Sequence, residues 1–301
     1  PVPQGLDEDV SILQEPLQNI YLVASGVMDM FASLDAVGQI RFSGQKQENW
    51  YIQTAKDAMA AGDMIYAGKY SKPDYELLVS EGCDLAIENR MITHSPEVVE
   101  MLQSFDIPVM IEYSSYEQHP LGKVEWVKFF GALTGKEAKA EEAFAEQTEI
   151  LEEVESGEKT GKTIAFFYVT SNGLIQVRQS TDYIPKLIEL AGGRYIFENL
   201  EDSGSGRSTL NMQVEDFYAG AKDADILIYN SSIDGGVTTV DELIGKCNIL
   251  KDFKAVQEGQ VYCTTNDMYQ QSMAVGYLLQ DMHTVLTDDD TAKLRYLFLL
   301  Q

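Results

Sequence analysis

The alternation that fills most of this chain is broken once, and the break limits what it can fold into. Short runs rich in β-branched and aromatic residues alternate with amphipathic stretches over residues 20–113, and again over 163–286. From residue 121 to about 155 the strand signal is absent. Such alternation builds α/β layers with mainly parallel sheets, because each crossover helix covers the sheet between two strands. In the interruption, Trp126, Phe129, Phe130 and Leu133 form one helical stripe. After Thr134-Gly135, the run 136–154 is dense in Ala, Glu and Lys, with Phe144, Leu151 and Val154 as its sparse apolar positions. A helix of about 20 residues spans roughly 30 Å, the breadth of a small domain. The expectation is two α/β lobes, residues 1–120 and 158–301, joined by a helical piece over 121–157, with a ligand cleft between the lobes. The alternative is one more surface helix on a single large sheet.

In the first half, strands are expected over 20–24, 40–42, 64–67, 84–88 and 109–113, and helices over 27–34, 51–61, 73–80 and 96–105. The last of these helices is well punctuated: Ser95 can cap its free amides, Pro96 suits the first helical position, and Val98, Val99, Met101 and Leu102 supply an apolar face. In the second half, strands are expected over 163–169, 226–229 and 261–264, and helices over 183–191, 214–219, 240–244 and 273–286. Residues 199–209 read as a loop.

Charge narrows the function classes. The chain carries 22 basic against 48 acidic residues, a formal net charge of −26, with no Lys/Arg cluster. Nucleic acid is excluded as a partner, since neutralising phosphates needs a basic surface. No apolar run approaches the roughly 20 residues that span a bilayer. Residues 1–10 lack the basic and apolar regions of a signal peptide, and the missing initiator methionine fits a leader removed before Pro1. Cys83, Cys247 and Cys263 are widely spaced without a CxxC pair, so they read as small buried apolar side chains, with a Cys247–Cys263 bridge left open.

Common catalytic signatures are missing: there is no GxxxxGK[ST], no GxSxG and no HExxH. Gly204-Ser205-Gly206 sits in a polar stretch with no strand before it and fails the context test for a dinucleotide site. His94, His119 and His283 are the only histidines, and a metal site would need them gathered with carboxylates. The informative feature is the set of polar and aromatic residues at strand ends, because open α/β sheets bind ligands beyond the carboxyl ends of their strands. In the first half these are Arg41, Tyr66, Tyr70, Arg90, Met91, Tyr113 and Tyr116, with Trp50 and Tyr51 as added stacking surface. In the second half they are Tyr168, Asn172, Arg178, Asn230, Met268 and Tyr269. An Arg fork at position 41, 90 or 178 would suit a carboxylate, catecholate or propionate group. Each of the three arginines fits a surface ion pair with a neighbouring acid equally well.

Five segments in order resemble the substrate-binding proteins of ABC importers, in the group that captures ferric siderophores, haem and cobalamin and has a rigid interlobe helix. They are Ala67-Gly68-Lys69-Tyr70-Ser71-Lys72-Pro73-Asp74-Tyr75-Glu76-Leu77-Leu78 followed by Gly82-Cys83-Asp84-Leu85-Ala86-Ile87; Phe105-Asp106-Ile107-Pro108-Val109; Leu133-Thr134-Gly135-Lys136-Glu137-Ala138; Ile188-Glu189-Leu190-Ala191-Gly192-Gly193; and Gln213-Val214-Glu215-Asp216-Phe217 with Ala224-Asp225-Ile226-Leu227-Ile228. Cys83 stands where the family usually has proline before the aspartate, and a single glycine, Gly68, follows Ala67 where the family often has two. The resemblance implies two Rossmann-like lobes and a non-enzymatic, monomeric receptor without a cofactor, lipid-anchored outside the cell membrane or periplasmic. Such a receptor would deliver a ferric siderophore, haem or a corrinoid to an ABC-importer permease. It also implies that Glu76 and Glu215 dock onto permease arginines; as residues they read equally as first-turn acids favoured by the helix dipole. A zinc or manganese receptor using His94 or His119, and an α/β enzyme, are the rival readings.

Overall fold

A computed structural model describes residues 5–7, 10–13, 16–201, 208–233, 236–287 and 291–301. Gly204-Ser205-Gly206, the centre of the loop expected over 199–209, and part of the 1–10 start lie outside the described residues. The chain divides into two units: Pro1–Ser114 with Glu125–Phe144, and Ser115–Val124 with Ala145–Gln301.

The N-terminal unit is built on strands β1 (Ile20–Leu22), β2 (Ile40–Ser43), β3 (Ile65–Tyr66), β4 (Gly68–Lys69), β5 (Lys72–Pro73), β6 (Leu85–Asn89) and β7 (Val109–Glu112), and helices α1 (Val27–Ser33), α2 (Gln53–Ala61), α3 (Tyr75–Ser80) and α4 (Pro96–Ser104). Five strands form one sheet in the order β3-β2-β1-β6-β7, every pairing parallel. β1 and most of β6 are buried, which explains why they read as apolar runs rather than alternations. β4 and β5 pair as a separate small hairpin. Gly68 holds φ 88° there, and a side chain on it would collide with the Lys72 carbonyl. Pro96 opens α4 as expected, but Ser95 caps it only through its backbone: its carbonyl accepts from Val98 at 3.0 Å, and its side chain makes no capping bond.

The chain changes units after Ser114 and twice more inside helices. In α5 (Pro120–Thr134) the unit boundary falls after Val124, and in α6 (Glu137–Glu155) after Phe144. Within the N-terminal unit, Phe130 of α5 packs on Phe31 with ring centroids 5.5 Å apart. Within the C-terminal unit, Gln147 of α6 accepts a hydrogen bond from the Gly276 amide at 2.9 Å.

The C-terminal unit contains β8 (Thr163–Val169), β9 (Ile175–Arg178), β10 (Arg194–Tyr195), β11 (Thr209–Met212), β12 (Ile226–Tyr229), β13 (Val261–Thr264) and β14 (Leu297–Leu299), with α7 (Tyr183–Leu190), α8 (Val214–Ala221), α9 (Val240–Lys246), α10 (Lys254–Gln257) and α11 (Val275–Thr287). The sheet order is β11-β9-β8-β12-β13-β14, with β10 also paired to β8. β8, β12 and β13 run parallel at its centre, while β9, β11 and β14 add antiparallel edges. One face is filled by an aromatic stack, with Phe217 4.8 Å from Phe167 and 5.5 Å from Phe253 between centroids. Cys247 and Cys263 lie in this core as free thiols.

The aspartate of the repeated strand-entry motif does the same job in both units. Asp84 accepts from the Gln18 and Asn19 amides at 2.9 and 3.1 Å, just ahead of β1. Asp225 accepts from the Thr163 amide and hydroxyl at 2.7 and 2.9 Å, at the start of β8. Each ties the entry of its own strand to the entry of its unit's first strand.

Candidate functional site

In the C-terminal unit the end of β9 and the segments after β12 and β13 bring three of the expected residues together. Arg178, at the end of β9, donates to the Tyr269 hydroxyl, and the Asn230 side-chain amide donates to the same oxygen at 2.8 Å. Asn230 directly follows β12, and its own amide is held by the Phe167 carbonyl at 2.8 Å. The guanidinium also lies 5.3 Å from the Tyr269 ring centroid and 5.8 Å from that of Phe166. Arg178 is buried, and Asp182, four residues on and also buried, sits 3.4 Å from its guanidinium. Tyr195 clamps the backbone beneath, accepting from the Arg178 amide at 3.0 Å and donating to its carbonyl at 2.8 Å. Burial drives the Tyr195 phenol well above its ordinary range, so it stays a neutral two-way hydrogen-bonding group.

Two pockets open in this unit, and the smaller shares Asp182 with the cluster. One, of about 180 Å³, has Tyr116, Glu117, Thr181 and Asp182 in its wall. The other, of about 530 Å³, lies at the turn after β8, where Tyr168, Thr170, Ser171, Ile233 and Lys246 meet. Only the larger falls in the range of roughly 300–1,000 Å³ typical of small-molecule sites. Asn172, in the turn beside the larger pocket, is exposed and accepts from the Thr170 hydroxyl at 2.5 Å. Met268 is buried.

In the N-terminal unit, Tyr51, Tyr66, Met91 and Tyr113 are exposed, each by more than 40%. Arg90 opens the short 3₁₀ turn after β6, and Tyr70 lies half-buried at the tip of the β4–β5 hairpin. Two expected residues lie elsewhere. Trp50 is fully buried and its indole N–H donates to the Ser43 hydroxyl at 3.0 Å, so it is a core residue without stacking surface for a ligand. Arg41 is spent at the other edge of the sheet. Its guanidinium bonds Glu81 at 2.8 and 3.0 Å and the Gly62 and Asp63 carbonyls at 2.7 and 3.0 Å, all of them groups that precede strands. Arg41 is only the second residue of β2, so its side chain belongs with the amino ends.

Sequence reasoning passed over Asp182, Lys246 and Tyr195. An acid four residues after Arg178 and directly before a helix was a readable signal: Asp182 also caps α7, accepting from the Ile184 amide at 2.9 Å. Lys246 and Tyr195 carried none. Glu76 and Glu215 are exposed, and each is the second residue of its helix, α3 or α8, so the two occupy equivalent places in the two units. Among the described residues no three of His, Cys, Asp and Glu gather as metal ligands. The His119 ring accepts from the Leu121 amide at 3.2 Å, and His283 lies 2.9 Å from the Ala191 carbonyl.

A family model described as periplasmic binding protein matches residues 25–268, well over half of the chain. The chain belongs to this family. Periplasmic binding proteins bind small molecules and work with ABC permeases. An uncharacterized lipoprotein of Methanocaldococcus jannaschii is 25% identical over 304 aligned residues, covering 95% of this chain and 70% of that protein. Two solved structures share the fold. The periplasmic haem binding protein HutB of Vibrio cholerae matches with a TM-score of 0.68 at 14% identity, covering 87% of this chain and 96% of its own. The periplasmic catecholate-siderophore binding protein VctP of Vibrio cholerae also gives 0.68, at 12% identity, covering 90% of this chain and 94% of its own. In this periplasmic binding protein no helix among the described residues is long and apolar enough to cross a membrane.

Proposed function

We propose that this chain is an extracytoplasmic, lipid-anchored receptor that captures an iron complex, a ferric siderophore first and haem second, and hands it to an ABC importer without chemical turnover. The observation that carries this reading is the Arg178–Tyr269–Asn230 cluster, whose Asp182 partner also lines a pocket. It combines an oriented cation, a phenol and an amide, groups suited to the oxygen-rich rim of a chelate. The haem-binding and siderophore-binding proteins that share the fold support the ligand class, and the lipoprotein relative supports the anchor. Glu76 and Glu215 are the proposed contacts to the permease.

A thermal-shift panel of ferric siderophores, haem, a corrinoid, zinc and manganese tests the ligand. A compound present at 100 times its dissociation constant adds about 2.7 kcal/mol of stability. A rise with a ferric chelate or haem is expected, and no rise with either sinks the reading. Tyr269→Phe removes the hydroxyl shared by Arg178 and Asn230 and should weaken the bound chelate about tenfold, the effect of one polar contact. For docking, Glu76→Lys with Glu215→Lys should abolish uptake while leaving chelate binding intact. Uptake that survives both reversals removes the docking assignment.

A further inference from the structure

Glu88, the fourth residue of β6, is fully buried. Among the described residues it is the one carboxyl whose two oxygens are both buried without any hydrogen-bond partner. Its register neighbour on β7 is Ile111, and the core on that face of the sheet is lined by Tyr21, Val23, Leu78, Ile92 and Leu102. The titratable groups around it bring no positive charge. Tyr21 on β1 and Tyr75 at the start of α3 both feel Glu88. Tyr66 of β3 and Cys83 ahead of β6 act on Tyr21, and Glu97 of α4 acts on Tyr75. Lys69 and Lys72, on the hairpin, are exposed to solvent.

A carboxylate cannot persist in such a place. Ionising it there costs several kcal/mol unless a cation or donors arrive, so the group keeps its proton or the surroundings open. Burial lifts the acid to about 8, far from its ordinary 4.5. Burial also takes the Cys83 thiol up to about 12, and Tyr21 and Tyr75 shift upward.

The elements packed over it are short: α3 has six residues and α4 nine. The β4–β5 hairpin is tied to the sheet by the Tyr21 hydroxyl, which donates to the Gly68 carbonyl at 3.0 Å, and by the Ala67 amide just before it, which donates to the Ser43 carbonyl at 3.0 Å. We propose that Glu88 is a proton-operated latch of the N-terminal unit: uncharged, it lets β6 run through the apolar core against α3 and the β4–β5 hairpin, and when it loses its proton it drives that cover off. The residues that follow it, Asn89 to Met91, form the 3₁₀ turn at the carboxyl end of β6, so the latch reaches the edge where a solute would sit. The inference does not depend on what that solute is.

The direction follows from linkage. The folded state holds the Glu88 proton more tightly than the unfolded state, so the contribution of Glu88 to stability is greatest in acid and falls as pH rises from the ordinary glutamate value of 4.5 to about 8. Within that window the folding equilibrium constant drops by up to about tenfold per pH unit. The test is thermal unfolding of the full chain and of Glu88→Gln from pH 5 to pH 9. The wild-type midpoint should fall relative to the variant by on the order of 5 °C or more. Amides of α3 and the hairpin should also exchange faster in wild type than in Glu88→Gln at pH 9, and equally at pH 5. Parallel midpoints across the range overturn the proposal. Infrared spectra of the ¹³C-glutamate-labelled wild type give a second reading that survives any folding failure of the variant. A protonated carboxyl band present at pH 7 and lost near pH 8 supports the latch, and its absence at pH 7 refutes it.

Discussion

Each unit buries an acid in its interior, and the two are treated differently. Glu88 of the N-terminal unit has no partner for either oxygen. Asp281 of the C-terminal unit, on α11, accepts from the Arg295 amide at 2.9 and 3.2 Å, the Tyr296 amide at 2.6 Å and the Leu297 amide at 3.0 Å. Burial raises both acids, but at Asp281 the backbone donors oppose it. Asp281 is a fastener: it pins the chain leading into β14. Glu88 fastens nothing, and in the same solvent it can only be tolerated in one protonation state. Burial alone does not say whether an acid holds a fold together; its donors do.

Four substitutions probe this contrast, in decreasing order of effect. Asp281→Ala takes the acceptor from three backbone amides, that of Leu297 buried, and should cost about 4 kcal/mol in denaturant unfolding; a loss under about 1 kcal/mol would mean that the fastener is idle. Arg178→Met leaves Asp182 buried without its cation and should cost about 3 kcal/mol, whereas a neutral result would show Asp182 satisfied by the α7 cap alone. Glu88→Leu should run the other way. Replacing an unpartnered carboxyl by an apolar side chain of similar size should stabilise by about 2 kcal/mol at pH 8 and by much less at pH 5; equal gains at both would dissolve the contrast. Asp225→Asn should be the mildest. At Asp225 burial, the largest influence, acts upward, but it is outweighed by Lys254, whose ammonium lies 2.6 Å away, and by Thr163, and the net shift is downward. Its stabilisation is thus present above the ordinary aspartate value and lost as pH falls through that region. For a partly exposed pair, screening keeps it below about 1 kcal/mol. Acid-unfolding curves of wild type and variant would converge as this term disappears.

The parallel strands were legible in the sequence because strands covered on both faces must be apolar throughout, as in β1, β8 and β12. β9 and β11 were not. Ile175-Gln176-Val177-Arg178 and Thr209-Leu210-Asn211-Met212 alternate or mix polarity over four residues, and the pairing of β9 with β8 depends on a tight turn with Gly173 at φ 79°. β14 is three residues long and gains its place through β13 and Asp281, neither of which its own residues announce. At the site, adjacency to strand ends singled out Arg178, Asn230 and Tyr269, which the fold gathers. Adjacency carries no direction, however: it could not show that Arg41 points to the amino edge, or that Trp50 turns inward to Ser43. Glu88 was unreadable for a related reason. In Leu85-Ala86-Ile87-Glu88-Asn89 an acid beside a polar residue reads as the strand leaving the core, whereas the structure keeps it inside for one position more.

The crossings between the units bear on how this protein can be taken apart. Besides the crossing after Ser114, the chain changes units after Val124 within α5 and after Phe144 within α6. Proteases cut extended, accessible backbone, and neither helical crossing offers any. Severing either one genetically would leave two frayed helix stumps, each robbed of the turns that nucleate it. Exchange of halves with a homologue is therefore best made by cutting near Ser114 and grafting α5 and α6 whole.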